Sequence, residues 1–247
     1  VIECYYRSSG NEQYAACLWR EELMANYTTK DIRNIALTGS QGAGKTTLVE
    51  AMLHASGEIG HIGTVEEGNT VCDFDDLEKE YSHGIESSVV HFDHNGAHIN
   101  VIDTPGSPGF YGKAVAAIPA VESQIIMLDS SAGIDTMTRK LIALGREREL
   151  PQVILINKTD HGDDLGALLD HIQSTFGGVC RPVNLPADGG TSVIDCFKNA
   201  TGESDLGDVA DFHTGIVDQV VEVDEELMEA YLEQGEVSPD QLHGPFE

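Results

Sequence analysis

The chain has 247 residues, 40% of them hydrophobic, which is enough for one large core or two small ones. Forty-two acidic against fourteen basic residues give a formal net charge of −28, which argues against a broad, nonspecific or sequence-specific grip on nucleic acid. Five scattered cysteines (Cys4, Cys17, Cys72, Cys180, Cys196) and the lack of any apolar run near the ~20 residues that span a bilayer exclude a disulfide framework, a zinc pattern and a membrane partner, and make a cytoplasmic setting the expectation.

Residues 1–23 show no sustained period, and a new start comes at Met24. The stretch reads either as a helix through Tyr14–Leu23 or as upstream sequence; residues 1–30 are expected to be a leader of the second kind. From Ile32 short apolar runs alternate with helical stretches. Strands are predicted at Asn34–Thr38, Ser87–Phe92, Ile99–Ile102, Gln124–Leu128 and Val153–Ile156. Helices are predicted at Lys45–Ala55, Tyr111–Ile118, Thr136–Leu150 and Asp164–Phe176. Such alternation indicates a mostly parallel sheet between helices, and Asn95-Gly96 marks a tight hairpin that makes one edge strand antiparallel. After Gly177 the texture changes. Two short strands (Pro182–Leu185 and Ser192–Phe197) and an acidic helix near His213–Glu233 suggest a small α+β insertion over residues 177–247. Ser238-Pro239 reads as a helix start close to the last residue, so the preceding unit is expected to be incomplete.

Three short motifs carry the chemistry. "GSQGAGKT", Gly39–Thr46, fits the phosphate-binding pattern GxxxxGK[ST] and lies between a predicted strand and helix. Gly39, Ser40, Gly42, Ala43 and Gly44 let backbone amides curl around phosphates at a helix N-terminus, with Thr47 in the following turn. Lys45 suits the β- and γ-phosphates, and the Thr46 hydroxyl suits Mg²⁺. Asp103, at the end of the third predicted strand, can hold the same ion through water, and the Gly106 amide can face a γ-phosphate. "NKTD", Asn157–Asp160, follows the fifth predicted strand. Asp160 can accept from guanine N1 and N2, Asn157 can brace neighbouring loops, and the Lys158 stem can lie along the base. In this order, each at the C-terminal end of a strand, the motifs point to GTP or GDP with Mg²⁺ and to a P-loop NTPase α/β three-layer fold over residues 31–176.

"RNIALTGSQGAGKTTLVEAML", "GTVEEGNTVCDF", "INVIDTPG" and "LINKTD" resemble the GTP-binding domain of elongation factor G and its paralogues among the translation GTPases, over roughly Arg33–Leu242. "DEELMEAYLEQGEVS" is similar to the subdomain that elongation factor G carries after its base-reading motif. The resemblance implies a monomeric factor whose full-length form works on the ribosome.

Several positions depart from that pattern. Ser40 and Gly42 replace the usual His and Asp of the phosphate loop. "HGIESS", His83–Ser88, stands where the family has its switch threonine, which puts Glu86, or else Ser87 or Ser88, at the metal-ligating point. Ser107 occupies the position of the histidine that orients the attacking water, so catalysis would fall to Lys45 and a residue too short for that task. Two readings stay open: a ribosome-dependent GTPase of slow intrinsic rate, and a switch of the same fold that signals by occupancy without turnover. His91, Asp93, His94 and His98 read as a polar hairpin tip rather than a metal site. The acidic run Asp73, Asp75, Asp76, Glu78 and Glu80 reads as a mobile, solvated loop.

Overall fold

The computed structural model describes residues 27–81, 84–160, 164–222, 227–229 and 231. The leader up to residue 26, most of the "DEELMEAYLEQGEVS" stretch and the Ser238-Pro239 helix start lie outside the described residues.

Five strands form the main sheet: β1 (Ile32–Gly39), β2 (Ser88–His94), β3 (Ala97–Asp103), β4 (Ser123–Asp129) and β5 (Gln152–Asn157). Their order is β2-β3-β1-β4-β5, parallel except for β2 against β3. The antiparallel edge follows from Asn95 and Gly96, both at positive φ (48° and 83°), as a two-residue primed turn requires. Parallel neighbours need crossovers, and helices supply them: α1 (Lys45–Ser56) and α2 (Asp76–Tyr81) between β1 and β2, α3 (Tyr111–Ala117) between β3 and β4, and α4 (Thr136–Glu147) between β4 and β5, while α5 (Leu165–Phe176) follows the last strand of the sheet. The α4 helix stops short of the predicted Leu150 because Glu149 turns to φ 55° and Pro151 disfavours helix in the residue before it.

β1 is central, and Ala36, Leu37 and Thr38 have no exposed surface. One face of the sheet packs Leu37, Val90, Val101 and Met127 against Val49 and Leu53 of α1. The other buries Ala36 with Ile118 and Val121, beside a cluster of Ala114, Met137 and Leu141 from α3 and α4. Each buried Val, Leu, Ile or Met side chain among these contributes on the order of 1.5–3 kcal/mol. Gln124, also fully buried, is satisfied by donating to Thr38 Oγ1 at 2.9 Å and accepting from Gln152 Nε2 at 2.9 Å. Gly145 of α4 has no room for a side chain there, since a Cβ would stand 2.1 Å from Gln124 Oε1.

Beyond α5 come two short antiparallel pairs, β6 (Asn184–Ala187) with β7 (Ser192–Asp195) and β8 (Glu203–Ser204) with β9 (Gly207–Asp208). The helix α6 (Val209–Val221) follows at once. Leu185, Cys196, Val209, Ile216, Val217 and Val220 form a separate apolar cluster, against which Leu227 and Tyr231 pack. α6 begins four residues before the predicted His213 because Asp208 caps it, accepting from the Ala210 amide at 2.9 Å.

The acidic run after residue 72 differs from expectation. Asp73 and Glu78 are buried, and α2 was not foreseen. Asp73 accepts from Thr70 Oγ1 at 2.7 Å, while Glu78 accepts from the Ile85 and Glu86 amides at 2.8 and 3.0 Å. Glu50 of α1, buried as well, accepts from the Gly63 and Val71 amides at 2.8 and 2.6 Å. These carboxylates organise the segment by taking up amides that would otherwise be orphaned. At the hairpin, Asp93 accepts from Tyr27 Oη and pairs with His98 Nδ1, and the His91 and His98 rings lie 5.2 Å apart. Among the described residues no group of three or more His, Cys, Asp or Glu side chains is placed to hold a metal. No helix there is long and apolar enough to cross a membrane.

Candidate nucleotide site

The C-terminal ends of β1, β3 and β5 bring three loops together. After β1 the chain turns through Gly39–Gly44 into α1, with Gly39, Gly42 and Gly44 at φ 148°, 78° and 94°. Two of these positions also admit no side chain. A Cβ on Gly39 would stand 2.5 Å from the Met127 carbonyl oxygen, and one on Gly44 would stand 2.4 Å from Asn157 Nδ2. Lys45 is buried and its ammonium donates to the Gly39 and Ser40 carbonyls, both at 2.9 Å. Burial pulls Lys45 below the usual lysine range, and the nearby Asp103 opposes that shift.

Thr46 Oγ1 donates to Asp103 Oδ2 at 2.7 Å, whereas Asp103 Oδ1 is buried with no hydrogen-bond partner among the described residues. Burial raises the Asp103 carboxyl to about 6, against the opposing Thr46 bond and Lys45 charge. Gly106 packs hard on the phosphate loop: a Cβ there would lie 2.4 Å from Lys45 Nζ and 2.6 Å from the Gln41 nitrogen. Ser107, next in line, is half-buried and extended (φ −71°, ψ 136°), and its carbonyl accepts from the Phe110 amide at 2.9 Å. Of the switch candidates, Ser88 and Glu86 line the phosphate cavity; Ser87 Oγ is buried without a hydrogen-bond partner among the described residues. Glu86 also pairs with Lys113 of α3. Cys72 lines the same cavity, its thiol pushed up to about 12 by burial and then by Asp103.

At the end of β5, Asn157 Nδ2 donates to the Ala43 carbonyl at 2.9 Å and so ties the "NKTD" loop to the phosphate loop. Lys158 sits at φ 58°, and its ammonium donates to Asp129 Oδ2 at 2.9 Å. Ser131 and Lys158 together hold Asp129 well below the usual carboxylate range. Asp160 is exposed at the rim. Two cavities result. One of about 580 Å³ is walled by Asn157, Lys158, Thr159 and Asp160, and by Gly190 of the β6–β7 turn. The other, of about 280 Å³, is walled by Gln41–Thr46 elements, Asp103 and Gly106. Gly44, Thr47 and Lys158 border both, so the two form one groove. The structure brings together Gly39, Ser40, Gly42, Ala43, Gly44, Lys45, Thr46, Thr47, Asp103, Gly106, Asn157, Lys158 and Asp160 around it.

One residue in this region escaped the sequence reading. Asp135, the N-cap of α4, accepts from the Thr138 amide at 2.7 Å and from Ser40 Oγ at 2.6 Å. Burial opposes its ionisation, but the Ser40 and Thr138 bonds prevail and hold it below the usual range. An Asp directly before an apolar-periodic helix signals the cap; nothing local signals the second bond.

Residues 30–240 match the family described as the elongation factor Tu GTP binding domain. The chain is 31% identical over 215 residues to an elongation factor G-like protein of Mycobacterium tuberculosis, covering 81% of this chain and 30% of that protein. It is 31% identical over 237 residues to the mitochondrial ribosome-releasing factor 2 of Yarrowia lipolytica, covering 85% and 29%. A solved protein of Thermus thermophilus superposes with a TM-score of 0.78 at 31% identity, over 87% of this chain and 35% of that one. The chain thus spans about a third of the length of the curated relatives it matches. With the α/β sheet, the phosphate loop and the "NKTD" loop all in place, the chain belongs to the elongation factor Tu GTP-binding-domain family, among the translation GTPases.

Proposed function

We propose that this chain is the guanine-nucleotide-binding part of a ribosome-associated translation factor similar to elongation factor G, with a slow intrinsic hydrolytic step. The observation that carries the reading is the continuous groove in which Thr46, Asp103 and Lys45 stand at one end and Asn157, Lys158 and Asp160 at the other. In this reading the glycine-rich loop and the α1 N-terminus bind the phosphates, Lys45 offsets their charge, and Asp160 selects guanine over adenine. Thr46 and Asp103 suit Mg²⁺: both offer oxygen to a hard cation, and Asp103 Oδ1 is a buried acceptor that no described residue satisfies. Bound there, Mg²⁺ would neutralise phosphate charge. Ser88, on the wall of the same cavity, is the better placed of the two serine candidates for the switch position.

Ser107 supports a slow chemical step, because its hydroxyl is too short to orient a water where a longer imidazole would reach. The division into a P-loop domain over residues 31–176 and an inserted subdomain over 177–247, and the monomeric state, belong to the same proposal. The test is single-turnover GTP hydrolysis by the full-length gene product, with and without ribosomes, beside Ser107→His. Binding of GTP but not ATP, a low basal rate and a gain from the histidine are expected. Strong ribosome stimulation of the unaltered protein, with no gain in S107H, would overturn the assignment of the slow step to Ser107.

A further inference from the structure

We propose that Asp135 is a positioning residue for triphosphate binding, acting through Ser40 to set the outer end of the phosphate loop. The inference rests on the guanine-nucleotide reading above. Capping a helix occupies one carboxylate oxygen, and Asp135 Oδ1 does this for Thr138. The other oxygen, Oδ2, leaves the helix and accepts from Ser40 Oγ at 2.6 Å, across 95 positions of sequence. An ionised acceptor makes this one of the stronger side-chain bonds in the site.

Ser40 is where a small displacement has the largest reach. Its carbonyl oxygen takes one of the two Lys45 ammonium bonds, at 2.9 Å. Its carbonyl carbon and the Gln41 nitrogen both stand 2.6 Å from the place where a Cβ on Gly106 would be. Lys45 suits the β- and γ-phosphates and Gly106 faces the γ-phosphate alone, so moving Ser40 disturbs both groups. The inner end of the loop is fixed separately, by Asn157 Nδ2 on the Ala43 carbonyl and by the close fit of Gly44 against Asn157. Loss of the Ser40–Asp135 bond therefore weakens a nucleoside triphosphate, which uses both groups, more than a diphosphate, which uses Lys45 alone. The intact bond ties the phosphate loop to the N-terminus of α4, an element with no other assigned part in the site.

The test measures affinity for fluorescent GDP and for a fluorescent, non-hydrolysable GTP analogue. Ser40→Ala removes the donor without touching the α4 cap. Asp135→Ser keeps a capping hydroxyl that is too short to reach Ser40. Ser40→Thr keeps the donor. S40A and D135S are each expected to weaken the triphosphate analogue about tenfold, with GDP within about threefold, in line with a lost charge-assisted bond. S40T is expected to stay near the parent, and the S40A/D135S double variant to lose no more than either single change. Equal losses for both nucleotides, or additive losses in the double variant, would overturn the proposal, as would an unchanged ratio. If the parent binds neither guanine nucleotide, the functional reading itself fails, and the proposal with it.

Discussion

Thr46 Oγ1 donates to Asp103 Oδ2 at 2.7 Å, and the second oxygen of that carboxylate is buried with no hydrogen-bond partner among the described residues. The pair has a consequence for stability. The Asp103 carboxyl is raised from 3.8 to about 6, so the folded chain holds this proton more tightly than the unfolded chain does. Its contribution to folding is fully present below pH 3.8 and is lost as the pH rises through about 6. A shift of this size corresponds to about 3 kcal/mol at neutral pH. Without nucleotide or divalent cation, Asp103→Asn is therefore expected to be the more stable protein at pH 7.5, with the gap shrinking to roughly half by pH 5. Urea unfolding of both proteins at the two pH values measures it. A D103N variant no more stable than the parent at pH 7.5 would remove the ionised carboxylate from the list of strained groups. Mg²⁺ with GDP should then stabilise the parent and leave D103N behind.

At the opposite end of the groove, Asp160 stands on the rim of the larger cavity with Lys158 and Asn157 behind it. A carboxylate there pairs with two donors on guanine, and an amide in its place offers one donor and one acceptor. Asp160→Asn is expected to lower GTP affinity by on the order of 10²-fold or more while admitting xanthine nucleotides, whose ring carries an acceptor where guanine has the exocyclic amine. Competition between GTP and XTP for the two proteins reads this out. Equal preference for guanine in both would dismiss Asp160 as the base-reading group.

The elements around these two ends were legible because each is announced locally. Five apolar runs gave five strands, Asn95-Gly96 gave the antiparallel edge, and the glycines at 39, 42 and 44 stand where the backbone takes positive φ. What stayed hidden depends on partners far along the chain. Asp73 and Glu78 sit in a run that reads as solvated, yet Glu78 is buried because the amides of residues 85 and 86 come to it. Glu50 looks like an ordinary surface position of α1 until Gly63 and Val71 are folded against it. The link from Ser40 to Asp135 is hidden for the same reason: periodicity reports which face a residue lies on, not which distant donor reaches it.

Glu50 offers a direct measure of how much such a buried carboxylate holds. It takes the Gly63 amide on Oε2 and the Val71 amide on Oε1, and thereby anchors the chain between α1 and α2. Glu50→Ala leaves one buried donor and one partly buried donor unpaired; the first is worth roughly 1–3 kcal/mol and the second less, so a loss of about 2–4 kcal/mol is expected. Glu50→Gln keeps one acceptor and should fall between. Hydrogen exchange at Gly63 and Val71 should accelerate in E50A well before exchange in β1 does. Uniform acceleration across the sheet would instead show that Glu50 supports the whole core.

Gly44 and Asn157 allow a sharper experiment, because their coupling has a definite sign. Gly44 has φ 94°, which disfavours alanine by ~1–2 kcal/mol whatever surrounds it. In addition, the new Cβ would stand 2.4 Å from Asn157 Nδ2, so the amide must leave the Ala43 carbonyl it now holds at 2.9 Å. Asn157→Ala removes that obstruction along with the bond. Gly44→Ala is therefore expected to destabilise the parent by about 3 kcal/mol and the N157A background by only ~1–2 kcal/mol, leaving a coupling of about 1–2 kcal/mol. Denaturant unfolding of the four proteins closes the cycle. Additive losses would mean that the phosphate loop yields on its own at Gly44, and that the fit between it and the "NKTD" loop is looser than a 2.4 Å approach implies.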